Sequence, residues 1–145
     1  VASRFKPNPQ FIARVVGELE GIGKRLGAGL VGEITKVLNV RQPVAFVTSK
    51  KTGNRYIVGL EPSQPGEPPR MLTGRLRDSI SYAVERDGNK VVVNLRAATN
   101  YAARLEFGFV GVDRLGRRYT QAPRPYMLST ISKEWQRVLY EAAKG

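Results

Sequence analysis

The chain has neither cysteine nor histidine. Without Cys there is no disulfide framework and no thiolate metal site, and a reducing, intracellular setting is the simpler expectation. Without His the commonest general base and metal ligand is gone, and Cys, the best side-chain nucleophile, is gone with it. The sequence therefore predicts no catalytic residue, no cofactor and no metal centre. Tryptophan occurs once. No apolar run approaches the roughly 20 residues of a membrane span. The opening segment VASRFKPNPQ lacks the apolar centre of a secretory signal. A soluble protein not exported by that route is expected.

What the chain has in excess is positive charge. Twenty-four Lys and Arg against twelve Asp and Glu give a net +12, with Arg twice as frequent as Lys. That balance favours a polyanion or an acidic surface nearby. The charge is spread evenly: residues 1–50, 51–100 and 101–145 carry net +5, +3 and +4. The densest stretch is DRLGRRYTQAPR, residues 113–124, with four Arg and one Asp. A 41% hydrophobic and 25% charged composition over 145 residues fits one globular domain.

The hydrophobic pattern predicts an α+β domain: a long N-terminal amphipathic helix, an antiparallel sheet of hairpins, and a C-terminal helix packed on one face. Asn8-Pro9 supplies a cap and a first-turn proline. Apolar residues from Ile12 to Leu38 then recur at steps of three and four, giving one helix over 9–38. Six glycines (17, 21, 23, 27, 29 and 32) interrupt it, so packing must hold it, and a kink or break is expected near Gly27–Gly32. Its long apolar stripe suits either an internal core or an intersubunit contact. Residues 44–60 read as a hairpin turning at KKTG. Residues 62–72 form a strap with four prolines in its first eight positions, stiff and solvated, suited to spanning neighbouring subunits. Over 73–121 a short helix capped by Thr73 is expected, with Leu72, Leu76 and Ile80 on its inner side. A hairpin turning at Asp87-Gly88 follows, then a helical turn or two at 99–106, then an exposed hairpin around DRLG. The C-terminal helix, 124–144, presents Leu128, Ile131, Trp135, Val138, Leu139 and Ala142 as one stripe.

Three formal motifs fail on context. Gly27-Ala28-Gly29-Leu30-Val31-Gly32 matches a dinucleotide fingerprint, but it lies within a helix pattern and has no acidic residue at the required distance. Gly23-Lys24 lacks the Ser or Thr and the first Gly of a phosphate loop. The acidic residues are scattered beside basic ones rather than converging on an ion. Glu106, amid Tyr101, Leu105 and Phe107, reads as a carboxylate pairing with Arg or capping backbone amides. Arg114, Arg117, Arg118 and Tyr119 are the candidate contact to DNA or a partner, because Arg forks match phosphate and an aromatic ring can stack; a solvated loop has the same composition.

Three pieces then occur in a fixed order: PGEPPRMLTGRLRDSI (65–80), NYAARLEFG (100–108) and APRPYMLSTI (122–131). Together they resemble the tail-completion, or neck, protein family of long-tailed bacteriophages. The resemblance implies a structural virion protein at the head-tail junction, assembled in the host cytoplasm. It implies a ring, commonly six-fold, between connector or head-completion proteins and tail-terminator or tail-tube proteins, with non-specific contact to packaged DNA and no membrane. It assigns Thr73, Gly74 and Leu76 to the strap-to-helix junction, Tyr101, Glu106 and Gly108 to a central turn, and Arg124 and Pro125 to the start of the last helix. A tail terminator capping the tube and a non-specific basic DNA-binding module remain the competing readings.

Overall fold

A computed structural model describes residues 6, 8–41, 44–58 and 62–145. Ten elements follow in order: α1 (Pro9–Val37), β1 (Ala45–Thr48), β2 (Arg55–Val58), α2 (Arg75–Asp78), β3 (Ile80–Asp87), β4 (Lys90–Ala97), α3 (Ala102–Phe107), β5 (Phe109–Val112), β6 (Arg118–Gln121) and α4 (Leu128–Lys144). The class is α+β, as the pattern predicts. Among the described residues the strands form three separate two-stranded antiparallel sheets, β1–β2, β3–β4 and β5–β6, which do not join edge to edge.

Helix α1 starts where Asn8 Oδ1 accepts the Gln10 amide at 2.9 Å, with Pro9 at the first helical position. It runs 29 residues without the break expected near Gly27–Gly32. The glycines explain why. A Cβ at Gly27 would sit 2.3 Å from the Tyr82 ring, and one at Gly23 3.1 Å from Val91, so β3–β4 lies directly on the helix backbone there. A Cβ at Gly29 would sit 2.4 Å from Val138 of α4. Close packing on both sides thus offsets the roughly 1 kcal/mol that each helical glycine costs relative to Ala. These glycines serve contacts inside one subunit, which answers half of the ambiguity about the helix's stripe.

Helix α4 is rotated from its predicted orientation. Val138 and Ala142 are buried and Ile131 packs on the core, but Leu128 and Trp135 are 55% and 43% exposed. Val138 is drawn onto Gly29, and Arg137 bridges Glu33 of α1 at 3.0 Å and Glu134 at 2.9 Å. That clasp turns the side carrying Leu128 and Trp135 outward. Arg25 Nε donates to the Ala142 carbonyl at 2.7 Å, closing the other end of the helix pair.

The β3–β4 hairpin turns at Gly88 and Asn89, one residue later than the Asp-Gly signal centres it. Gly88 has φ 58° and no described non-glycine residue has positive φ, the pattern of a type II′ turn. The core gathers Ile34, Leu38, Leu76, Ile80, Ala102 and Tyr126. The helix α2 is one turn long, and its N-cap is Gly74 at φ 80° rather than Thr73, whose Oγ1 lies 3.4 Å from the Arg75 amide. Leu72 is exposed instead of joining Leu76 and Ile80 inside. Positions 59 and 60, the end of the first predicted hairpin, lie outside the described residues.

Candidate assembly site

The three motif pieces, far apart in sequence, meet at one joint. Helix α3 carries Glu106, 8% exposed, to the start of α4. There its carboxylate accepts the amides of Tyr126 at 2.9 Å, Met127 at 3.0 Å and Leu128 at 2.8 Å. A helix start has amides with no partner in the helix, and a carboxylate placed there also meets the positive end of the helix dipole. Glu106 is therefore an N-cap supplied by another element. Of the two roles expected of it, pairing with Arg or capping backbone amides, the second is the one observed. Helix α4 begins at Leu128 and not at Arg124: residues 124–126 stay outside the helix, and Met127, already in the helical region, is its N-cap.

Tyr126 is the hinge pin of this joint, 1% exposed, with its hydroxyl 3.5 Å from the Ala102 carbonyl and its own carbonyl accepting Thr130 Oγ1 at 2.7 Å. Burial, followed by the nearby Glu106 charge, pushes its phenol up to about 12. Gly108 ends α3 at φ 77°, ψ 178°, a conformation open to glycine, and a Cβ there would lie 2.7 Å from the Gln121 carbonyl and 3.0 Å from Pro123. The glycine of the E-x-G piece thus lets the chain reverse tightly against the segment leading into α4. Tyr101 stands at the N-terminal end of α3 and packs on the core beside Leu105.

The strap belongs to the same joint. Arg124 donates its amide to Leu105 O at 2.7 Å and its Nε to Ser63 O at 3.1 Å, and the Gly66 amide donates to Pro123 O at 2.9 Å. Farther along, Met71 pairs with Val40 and Arg41 as a short parallel bridge. The strap is thus fastened along its own subunit at three places, rather than reaching away from it as its proline content suggests. Gln64, Pro65, Gly66 and Glu67 form its exposed edge.

Of the predicted residues, Gly74, Leu76, Tyr101, Glu106, Gly108, Arg124 and Pro125 converge here, while Thr73 faces solvent. Tyr126 and Ser63 were missed. No local signal marks either, because each is buried by partners distant in sequence. Arg114, Arg117, Arg118 and Tyr119 lie elsewhere, on the exposed β5–β6 hairpin. Arg117 is committed to its own turn: Asp113 Oδ2 holds its Nε at 2.7 Å, and Asp113 Oδ1 accepts the amides of Leu115 and Arg117. Hydrogen bonds from the Arg117 backbone and side chain, with the Leu115 amide, hold the Asp113 carboxyl below its ordinary range.

Two hairpins stand out from the body. Every residue of β1 and β2 is exposed, including Phe46, Val47, Tyr56 and Ile57 at about half. On the second, Val110, Val112 and Leu115 are more open still. An isolated two-stranded hairpin is marginal in water, and apolar residues open on both faces mark a surface made to be covered. Among the described residues no group of three acidic side chains could hold a metal ion, and no helix is long and apolar enough to cross a membrane.

The Glu106 carboxylate at this joint is committed to backbone amides, and two hairpins beside it are uncovered. Residues 47–108 match the model of the HK97-gp10-like family, described as "Bacteriophage HK97-gp10, putative tail-component". Over that segment the chain is similar to a family described as a phage tail component. The match spans the first two sequence pieces and stops at Gly108, and the third piece, bound to the others through Glu106, lies beyond it. A search of the curated proteins and of the solved structures matched nothing.

Proposed function

We propose that this protein is a non-enzymatic component of the phage neck, joining the DNA-filled head to the tail as one subunit of a ring-shaped connector. The match to a phage tail-component family carries the reading. The geometry supports it: a packed body of α1, α4 and β3–β4 presents two hairpins whose apolar residues need a neighbour's surface. We take the ring to be six-fold, lying between connector or head-completion proteins and tail-terminator or tail-tube proteins. A net charge of +12 suits a passage for DNA when the contacts are diffuse enough to let it slide.

The test is a phage unable to make this protein. Filled heads and tails of normal length, accumulating separately and joining when purified protein is added, are expected. Tails of uncontrolled length would instead identify a tail terminator, and joined, infectious particles would contradict both roles. The alternative of a basic DNA-binding module requires tight binding at physiological salt. Diffuse contact predicts weak binding to duplex DNA that falls steeply as salt rises.

A further inference from the structure

Strands β3 and β4 are the longest among the described residues, eight residues each, and they pair only with each other. Their register runs without a bulge from Ile80–Ala97 to Asp87–Lys90, and neither strand contains Pro or Gly. The Ala98 amide donates to the Ser79 carbonyl at 3.3 Å, one step beyond the last paired residues. Bonded and unbonded positions alternate in an antiparallel pair, so the backbone groups of Tyr82, Val84 and Arg86 on one strand and of Val91, Val93 and Leu95 on the other point outward along the two edges. Among the described residues no hydrogen bond from another element reaches them.

The helices leave both edges open. Gly23 and Gly27 of α1 lie against Val91 and Tyr82, whereas Arg25 and Gly29, which meet α4, come two residues later and so about 200° around the helix. Helix α4 therefore sits across α1 from the sheet and not beside it. The sheet's other face is exposed at every position: β3 places Glu85 and Asp87 there, β4 places Lys90 and Arg96, and the remaining positions are uncharged. None of these four charges has an ion-pair partner among the described residues. A long, regular edge is a template for another strand unless charge blunts it. Here charge blunts it selectively. Beside a second β3, β3 sets acid against acid, and β4 beside β4 sets base against base; β4 beside β3 sets base against acid.

Resting on the ring reading above, we propose that β4 of each copy pairs antiparallel with β3 of the next, joining the hairpins into one sheet that runs through successive subunits. The backbone groups along the edges supply the bonds, and Lys90 and Arg96 against Glu85 and Asp87 select which edges meet. Copies related by rotation bring β4 alongside the next β3 in the antiparallel sense, because the two strands already run oppositely within each hairpin. Two strands occupy about 9.5 Å of sheet, within the roughly 8–10 Å at which helices pack, so successive α1 helices fit side by side over it. The two edges differ, so the contact is head-to-tail and repeats until it closes a ring or extends a filament.

The absence of native cysteine makes the test direct. Ala83→Cys on β3, carrying a size tag, is mixed and oxidised in turn with Val92→Cys, Asn94→Cys and Arg96→Cys on β4, each a separate chain, with melting temperatures checked against the parent. Across the new seam these are unbonded positions, with Cα atoms of a facing pair about 4.5 Å apart, a separation that a disulfide spans. One of the three mixtures is expected to give a linked dimer of tagged and untagged chains, and that pair reads the register. Each variant oxidised alone, and Ala83→Cys with Tyr140→Cys on the exposed side of α4, stay unlinked. Lys90→Glu with Arg96→Glu is expected to weaken self-association about tenfold, with recovery when Glu85→Lys and Asp87→Lys are added. Oligomers by light scattering with no link between the strands, or with association unchanged by the charge reversal, would overturn the pairing and leave the ring reading intact. A link within any single variant would show like edges meeting, and one of equal yield to Tyr140→Cys would show random collision; either overturns it too. Strict monomers at every concentration would overturn both.

Discussion

Replacing Glu106 tests the joint on which the whole fold converges. The side chain is 8% exposed and accepts three amides between 2.8 and 3.0 Å, all from the start of α4. Hydrogen bonds to a charged group contribute about 1.5–3 kcal/mol each, so three bonds set an upper limit near 9 kcal/mol. Water reaches part of this helix start, since Leu128 is exposed, and can serve some of the freed amides in Glu106→Ala. We expect a loss of about 3–5 kcal/mol, a large share of the roughly 5–15 kcal/mol that holds a domain together. With an unfolding entropy of about 2.1 cal/mol/K per residue, that lowers the melting temperature by about 10–16 °C. Glu106→Gln keeps one carbonyl oxygen able to accept two bonds but loses the charge, and should cost about 1–2 kcal/mol, near 3–7 °C. Scanning calorimetry or thermal circular dichroism reads both. An Ala variant melting within about 2 °C of the parent would refute the view that this carboxylate organises the C-terminal helix.

Three further perturbations separate contacts that sequence composition treats alike. Gly27→Ala should destabilise by about 1–3 kcal/mol because its Cβ meets the Tyr82 ring, whereas Gly17→Ala and Gly32→Ala, with open space around them, should stabilise by about 0.5–1 kcal/mol; urea melts of the three variants check the order. Trp135→Ala should cost only about 1–2 kcal/mol, since a buried Trp loses about 3–5 kcal/mol on truncation and this one is 43% exposed; a loss above that range would mean α4 is turned the other way. Asp113 has a lowered folded-state pKa, so its hold on the β5–β6 turn is complete above its unfolded value of about 3.9 and fails as pH falls through the lower folded value. The amide resonances of Leu115 and Arg117 should titrate with a midpoint below that value, and a midpoint at or above it would show the turn is not held this way.

Much of the local structure was legible because it rests on local signals. Asn8-Pro9 starts α1, Gly88 turns the β3–β4 hairpin, and the acceptor role of Glu106 follows from a carboxylate among apolar neighbours. The unread parts depend on partners distant in sequence. Glycines that weaken a lone helix became contact points once Tyr82 and Val138 lay against them, so α1 runs unbroken where a break was expected. The stripe of α4 was drawn from apolar spacing alone, and the Arg137–Glu33 bridge and the Val138 contact decided its rotation instead. Thr73 looked like a cap by type, but Gly74, free to take φ 80°, occupies that position. Proline content shows that the strap is stiff but not what it is fastened to, and that was decided by Pro123 and Arg124, some sixty residues on. At the site, Tyr126 became visible only once α3 and α4 were brought together.

The place proposed for this protein is the head-tail junction, where its copies form a ring. Imaging of intact particles, with rotational averaging about the tail axis and this protein labelled by a tag, tests that claim most directly. The account predicts a closed ring of copies, six-fold, between the head vertex and the first layer of the tail. Label repeated along the tail tube, or none in the finished particle, would contradict it.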